Sequence, residues 1–266
     1  MDYFALPALK IASAEILQDF YDFERKYPHK YFFEVYVPLI LRRFFHYTWI
    51  PYKKRKARFL LETQQNRPHL LDIVTGAKPI YLLGTFQSYK YLESIKKNIL
   101  ADFSFKDIQL PEDLQKIMDE IKNTNSVAVH VRRGDYVTAK ALWQNFGSIC
   151  SLQYYRNAVE HLKTKFTDPK FYIFSNDPDW VKTNFTFLEN YRFVDAAQVE
   201  RADYYELFLM TQTKHNIIAN STFSWWGAYL NQNPLKTVIV PERWLGDDSI
   251  TTDEICPPEW VRVSIK

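Results

Sequence analysis

The chain has 266 residues, 47% of them hydrophobic and 17% aromatic, enough for one large domain or two modest ones around a real core. Its 34 basic and 31 acidic side chains leave a net charge of only +3. That argues against a general nucleic-acid binder, in which basic residues dominate, and suits a small phosphate-bearing substrate. The two cysteines, Cys150 and Cys256, form no CxxC pair and no zinc spacing, and read as free thiols of a reducing compartment.

The first twenty residues carry acidic side chains and no basic start ahead of an apolar stretch, so no secretory leader is expected. No uncharged apolar run approaches the ~20 residues of a membrane span. The expectation is a soluble, cytoplasmic protein, and the sequons at Asn184 and Asn220 read as chance. Residues 1–120 mix aromatic and basic residues without a strand rhythm. Within them, Tyr31-Phe32-Phe33-Glu34-Val35-Tyr36-Val37-Pro38-Leu39-Ile40-Leu41 is a candidate buried helix. The run Lys53-Lys54-Arg55-Lys56 is either a solvated helix face or a peripheral contact with an anionic membrane surface or a charged acceptor.

From residue 121 a second domain is expected, running to residue 266. Short β-rich runs recur there: Val127-Ala128-Val129-His130-Val131, Phe171-Tyr172-Ile173-Phe174, Tyr191-Arg192-Phe193-Val194, Asn216-Ile217-Ile218-Ala219 and Thr237-Val238-Ile239-Val240. Helical patterns separate them, over residues 152–165, 203–213 and 224–231. Alternation of this kind predicts an α/β fold, a parallel sheet with helices on both faces. Ligands of such sheets sit beyond the carboxyl ends of the strands, so the residues just after each run are where chemistry is sought.

Three segments stand there. His130-Val131-Arg132-Arg133-Gly134-Asp135-Tyr136 packs a histidine, two guanidiniums and a carboxylate into a strand exit. Guanidinium forks suit phosphate oxygens and can stabilise a departing nucleoside diphosphate. Asp135 could orient an arginine or accept the proton of an attacking hydroxyl, and a plain surface Arg–Asp pairing is the alternative. Phe174-Ser175-Asn176-Asp177-Pro178-Asp179-Trp180 contains an Asp-x-Asp that in one class of glycosyltransferases holds a divalent metal. Here Pro178 favours a helix start, with Asp177 as cap and Asp179 at the positive helix end. Asn220-Ser221-Thr222-Phe223-Ser224-Trp225-Trp226-Gly227-Ala228 leaves a strand and opens a helix, a ready anion site, and its two tryptophans read as buried core. Asp203 opens the preceding helix and either caps it or reads a base edge.

The first motif, the run Phe171-Tyr172-Ile173-Phe174-Ser175-Asn176-Asp177 and the long run His215-Asn216-Ile217-Ile218-Ala219-Asn220-Ser221-Thr222-Phe223-Ser224-Trp225-Trp226-Gly227-Ala228 together resemble the α-1,2-fucosyltransferases of glycosyltransferase family 11. Gly84-Thr85-Phe86-Gln87-Ser88-Tyr89-Lys90-Tyr91 resembles a fourth segment of that family, and the similarity spans about residues 80–245. The resemblance implies a GT-B-like fold with a C-terminal Rossmann-like domain and an N-terminal, mostly helical acceptor-side lobe. It implies inverting, metal-independent transfer of L-fucose from GDP-β-L-fucose to the 2-hydroxyl of a galactose-terminated glycan, without a cofactor. On that resemblance Arg132 and Arg133 meet the diphosphate, His130 and Asp203 lie near the guanosine, and Ser221, Thr222, Phe223 and Ser224 line the nucleotide pocket. Arg132, Arg133 and Asp135 are the candidate catalytic groups. One departure stands out: with six glycines, the chain has no counterpart of the family's glycine-rich first βα segment, so an incomplete N-terminal lobe is expected. The alternative that follows is a catalytically inactive GDP-sugar-binding fragment.

Overall fold

The structure is a computed structural model that describes residues 13–15, 18, 59–62, 81–138, 146–196, 199–200, 202–246 and 251–266. The candidate helix over residues 31–41 and the basic run at 53–56 lie outside the described residues. The chain divides into two compact units, one within Pro7–Gln87 and one formed by Ser88–Lys266. In the smaller unit, β1 (Phe59–Leu61) and β2 (Tyr81–Leu83) pair in parallel, two strands that the sequence rhythm did not disclose.

The larger unit carries six strands: β3 (Asn125–Val131), β4 (Pro169–Ser175), β5 (Tyr191–Phe193), β6 (His215–Ile217), β7 (Val238–Pro241) and β8 (Val261–Val263). All pair in parallel, in the order β5-β4-β3-β6-β7-β8. This is the order of a doubly wound, Rossmann-type sheet, in which the chain winds outward in both directions from a central pair, here β3 and β6. The helices are α1 (Lys96–Asp102), α2 (Glu112–Asn123), α3 (Gly134–Thr138), α4 (Leu152–Lys165), α5 (Pro178–Asn184), α6 (Ala202–Gln212), α7 (Thr222–Leu230) and α8 (Thr252–Ile255). Five of the six strands are the expected β-rich runs. α4 has the expected limits because Ser151 accepts a capping bond from the Tyr154 N–H (3.1 Å) and an apolar stripe follows.

The central strands are buried on both faces, which is why they read as unbroken apolar runs. Alternate residues go to opposite layers. Val127, Val129, Val131, Phe171 and Ile173 meet Tyr154, Tyr155, Ala158, Val159 and Leu162 of α4. Ala128, Tyr172 and Phe174 meet Leu114, Ile117, Met118 and Ile121 of α2 and Leu209 and Met210 of α6. A third cluster joins Ile218, Val238 and Val240 to Trp225, Ala228 and Tyr229 of α7, backed by Trp244 and Trp260. Each fully buried Val, Leu, Ile, Phe or Met among them contributes about 1.5–3 kcal/mol. Residues 88–120, read with the first domain from the sequence, group with this unit: α2 packs on the sheet, and Glu120 pairs with Lys170 (3.0 Å) and with Arg192.

At the amino-terminal edge a buried amide network ties helix ends to β6. Asn231 donates to the Thr213 carbonyl (2.7 Å) and to Asn216 Oδ1 (2.9 Å), while Asn216 donates to the Met210 carbonyl (2.9 Å). Beside it His215 stacks on Phe166 (3.9 Å), and its Nδ1 accepts the Thr237 N–H at 3.0 Å. Burial, aided by Lys214, pushes the His215 pKa down to about 4. The unfolded chain therefore binds the proton more readily. The stability tied to neutral His215 is complete above its ordinary value of 6.5 and is lost as pH falls towards 4. Urea midpoints measured at pH 7 and pH 4.5 should fall less for His215→Gln than for the parent chain. Equal losses would show that His215 does not carry this dependence.

Candidate functional site

The central pair β3 and β6 ends in two of the three chemically rich segments. Their exits go opposite ways. β3 leads to α4 on one face, and β6 leads to α7 on the other. The crevice left at such a switch point is where doubly wound sheets take their ligands.

On the β3 side the last strand residues and the loop are held from two directions. The Tyr155 hydroxyl, on α4, donates to the His130 carbonyl at 3.1 Å. The His130 ring is buried and lies 5.5 Å from the Phe223 ring of α7, so the two segments meet across the crevice. His130 Nδ1 is buried and has no hydrogen-bond partner. Burial, with Arg132 adding to it, lowers the His130 pKa to about 3, so the imidazole is neutral.

The two arginines differ. Arg133 is committed to the β4–α5 turn: its backbone N–H donates to Asn176 Oδ1 (2.9 Å) and its Nε to Asp177 Oδ2 (3.1 Å). Its guanidinium also lies 3.8 Å over the Trp180 ring. Arg132 is half-buried and lies 5.3 Å over the Tyr136 ring. Gly134 follows at φ +25°, and a Cβ there would stand 2.3 Å from Asn176 Nδ2, so only glycine admits the amide that supports the loop. Asp135 is the second residue of α3.

Asp177 is the N-cap of α5, accepting from the Trp180 N–H at 3.2 Å, with Pro178 at the first helical position. Its other oxygen takes Arg133, and Asp179 pairs with Lys182 at 3.7 Å. The Asp-x-Asp segment thus works as a helix start and a bracket for Arg133.

On the β6 side, Asn220 is locked in place. Its Nδ2 donates to the carbonyls of Phe146 and Trp244 (both 3.1 Å), and its Oδ1 accepts from Cys150 Sγ (3.3 Å). Tyr154 pins the strand end from the other face, donating to the Ile218 carbonyl at 2.6 Å. Ser221 is the N-cap of α7 by backbone conformation, yet its side chain makes no capping bond. The first turn therefore keeps its N–H groups at residues 222–224 without an intrahelical acceptor. Ser224 Oγ turns inward to the carbonyls of Ala219 and Ser221, and Thr222 is exposed at the mouth. Trp225 is core, stacked on Tyr229 at 4.6 Å with its indole N–H on the Ile255 carbonyl (3.1 Å). Trp226 stacks on Phe103 at 5.6 Å.

Asp203 is exposed in the first turn of α6. One turn on stands Glu206, which the sequence reading passed over. Its carboxyl is raised to about pH 7, first by burial and then by Asp203 and Asp195. Tyr205 and Phe223 belong to the same apolar cluster, which brings the start of α6 beside the start of α7.

The sheet order defines a Rossmann-type α/β domain, with the arginine-bearing loop after β3 and the open start of α7 on either side of its central crevice. Comparison with known sequences gives the family. The profile of "Glycosyl transferase family 11" matches residues 69–264, and the chain belongs to that family. The chain is 33% identical over 188 residues to an "Alpha-1,2-colitosyltransferase" of Escherichia coli, covering 69% of this chain and 62% of that protein. It is 31% identical over 176 residues to "O-antigen biosynthesis glycosyltransferase WbnK" of the same organism, covering 63% and 56%. The chain thus spans less than two thirds of the length of these curated relatives. A fucosyltransferase structure, NodZ from Bradyrhizobium, aligns with a TM-score of 0.39 at 10% identity, over 72% of this chain and 64% of that one.

The bracket around Arg133 predicts a division of labour. Losing the Asp177 cap removes about 1 kcal/mol, so Asp177→Ala should lower the melting temperature by about 2–4 °C in a chain of this size. Arg133→Ala should do likewise, and the double variant should fall short of the sum. Arg132→Ala should add its own effect to Asp177→Ala without coupling to it. A large loss from Arg132→Ala with none from Arg133→Ala would reverse the two roles.

Proposed function

We propose that this chain is a galactoside 2-α-L-fucosyltransferase, moving L-fucose from GDP-β-L-fucose to the 2-hydroxyl of a galactose-terminated glycan. The observation that carries the reading is the crevice between β3 and β6 in a family 11 chain, with Arg132 on one side and the open start of α7 on the other. In this reading the acceptor 2-hydroxyl attacks the anomeric carbon from the face opposite the diphosphate. The bond from that carbon to the phosphate oxygen breaks with its electron pair, and GDP departs with the added charge. Arg132 and the N–H groups of residues 222–224 stabilise that charge as it develops. Arg133 acts by holding the loop. Asp135 is the candidate base for the hydroxyl proton.

His130, Phe223 and the carboxylates of α6 suit the guanosine. Guanine offers two adjacent N–H donors, which a carboxylate accepts in pairs. Glu206 is the better-sheltered reader and Asp203 its exposed neighbour. The donor reading has one competitor, favoured by the 33% identical relative whose name specifies colitose, a fucose lacking the 3-hydroxyl. The lobe assignment follows the same logic, with the nucleotide-sugar on the larger unit and the acceptor on the smaller. No metal is invoked, because Asp177 and Asp179 are engaged in capping and ion pairs.

Calorimetry with a nucleotide panel, run with and without EDTA, tests the donor class. GDP should bind, GDP-fucose should bind more tightly than UDP- or ADP-sugars, and EDTA should change neither. Equal UDP binding would overturn the reading, and GDP-colitose outbinding GDP-fucose would select the second donor. Binding without GDP release in the presence of lactose would mark an inactive binder.

Arg132 and Glu206 separate the chemical step from base recognition. Arg132→Lys keeps charge but loses the fork, and should slow transfer by roughly 30- to 1000-fold, about 2–4 kcal/mol at the transition state. Glu206 must be ionised to accept from guanine, so affinity for GDP-fucose, whose diphosphate does not titrate in this range, should rise between pH 6 and pH 8. Glu206→Gln should flatten that rise. A pH profile unchanged by Glu206→Gln would remove the carboxylate from base recognition.

A further inference from the structure

Two helices of the larger unit begin in the same way. Before α4, the Ser151 N–H donates back to the Ile149 carbonyl (2.9 Å), a three-residue turn with Cys150 at its corner. Before α7, the Ser221 N–H donates back to the Ala219 carbonyl (2.8 Å), with Asn220 at the corner. In each case the serine that follows is the N-cap. The two corners are joined: Cys150 Sγ donates to Asn220 Oδ1 at 3.3 Å and accepts the Asn220 backbone N–H at 3.4 Å. The helix starts themselves differ. Ser151 closes α4 by accepting from the Tyr154 N–H (3.1 Å), whereas the Ser221 side chain makes no capping bond.

The joint reaches both sides of the crevice. The Cys150 thiol is also in hydrogen-bonding contact with the Tyr155 hydroxyl, which donates to the His130 carbonyl at 3.1 Å. Contacts thus run without a break from the start of α7 to the end of β3, through Asn220, Cys150, Tyr155 and His130. Burial pushes the thiol up to about 12, so it stays neutral and serves as a hydrogen-bonding joint, not as a nucleophile. The Asn220 side chain is fully used. Its two amide hydrogens go to the carbonyls of Phe146 and Trp244 (both 3.1 Å), and its oxygen takes the thiol. An aspartate has no hydrogen for those two carbonyls.

At the two ends of this joint stand two groups with bonds still to make. One is the first turn of α7, with its N–H groups at residues 222–224. The other is His130 Nδ1, buried and without a partner among the described residues. The His130 and Phe223 rings lie 5.5 Å apart, so the two ends meet. Donors that stabilise developing charge work when their placement is fixed beforehand. A shift of about 1 Å can cost on the order of 100-fold in rate.

We infer that Asn220 is the positioning residue of the donor site. Through Cys150 and Tyr155 it fixes the start of α7 against His130, so that a diphosphate meets N–H groups already in place. The inference rests on the transfer reading above. Asn220 touches no reacting atom in it and acts through the first turn of α7.

Calorimetry and hydrogen exchange on the 266-residue chain, well below its melting temperature, test it with inorganic pyrophosphate and GDP as probes. Both probes should protect the amides of residues 222–224 in the parent chain, and GDP should bind more tightly. Cys150→Ala leaves Asn220 Oδ1 without its donor. It should weaken both probes about threefold to tenfold, the scale of one hydrogen bond, and lessen the protection. Cys150→Ser, whose hydroxyl donates and accepts in the same place, should recover most of the loss. Asn220→Asp should lose at least as much as Cys150→Ala, and if it fails to fold the Cys150 pair decides alone. Asn231→Ala breaks an equally buried amide network at the other edge of the sheet. It should melt lower and bind both probes as the parent chain does. Lower melting of the Cys150→Ala chain with unchanged affinity for both probes would overturn the inference and leave the donor reading standing. An equal affinity loss in Asn231→Ala would overturn it as well, since any loosening of the fold would then have the same effect. Pyrophosphate protecting residues 222–224 while GDP binds no better would sink the donor reading and leave the positioning role intact. Protection of those amides by neither probe would end both.

Discussion

A parallel sheet wound in both directions must part somewhere, and here it parts between β3 and β6. The two strands are hydrogen-bonded neighbours, yet the chain leaves one for α4 and the other for α7 on opposite faces. No helix can cover the gap between exits that diverge. Every group assigned to the donor site stands at that gap or at the helix start beside it. The rest of the fold keeps the gap in register. Tyr155 and Tyr154 hold the two strand ends from the α4 face, and Asn220 locks the β6 exit to two separate chain segments, the loop of residues 146–150 and Trp244.

The electrostatics of the crevice follow from the same geometry. His130 is forced neutral by burial and by Arg132, so it adds no charge and serves as a polar surface only. Positive potential comes from the Arg132 guanidinium and from the start of α7, whose capping serine withholds its hydroxyl. Arg133, adjacent in sequence, has its charge answered by Asp177 and its face covered by Trp180. Two neighbouring arginines thus take different settings, Arg133 braced by Asp177 and Trp180 and Arg132 lying over Tyr136. The brace comes from the β4–α5 turn, which joins the second sequence motif to the first.

What the sequence made legible has a physical basis. β3, β4 and β7 announced themselves because both their faces are buried, and α4 because a serine cap precedes a complete apolar stripe. β8 escaped because Val261-Arg262-Val263 is three residues long, lies at an edge and carries an arginine spent on Asp253 and on nearby carbonyls. β1 and β2 escaped for the same shortness. The pairing of Arg133 with Asp177 escaped because motif order says nothing of a partner 44 residues away in the chain. Glu206 left no trace in the sequence, where it is one acid amid aromatic residues. Its raised pKa arises only once α6 packs against the sheet and brings Asp203 and Asp195 close.

Two departures from local rules meet at the crevice between β3 and β6. A buried polar atom without a partner costs about 1–3 kcal/mol, and His130 Nδ1 is such an atom. A helix start whose N-cap hydroxyl does not cap gives up about 1 kcal/mol. The Glu206 carboxyl, held near neutrality on α6, stores further free energy. The body of the fold contains the opposite: Asn216, Asn231 and Thr213, equally buried, satisfy one another. A chain that can satisfy its buried amides at the amino-terminal edge leaves His130 Nδ1 without a partner at the end of β3. Natural sequences break local consistency mainly where function demands it. His130 lies beside Phe223 at the start of α7, so a ligand that gave His130 Nδ1 a partner there would recover on binding what folding leaves unmet.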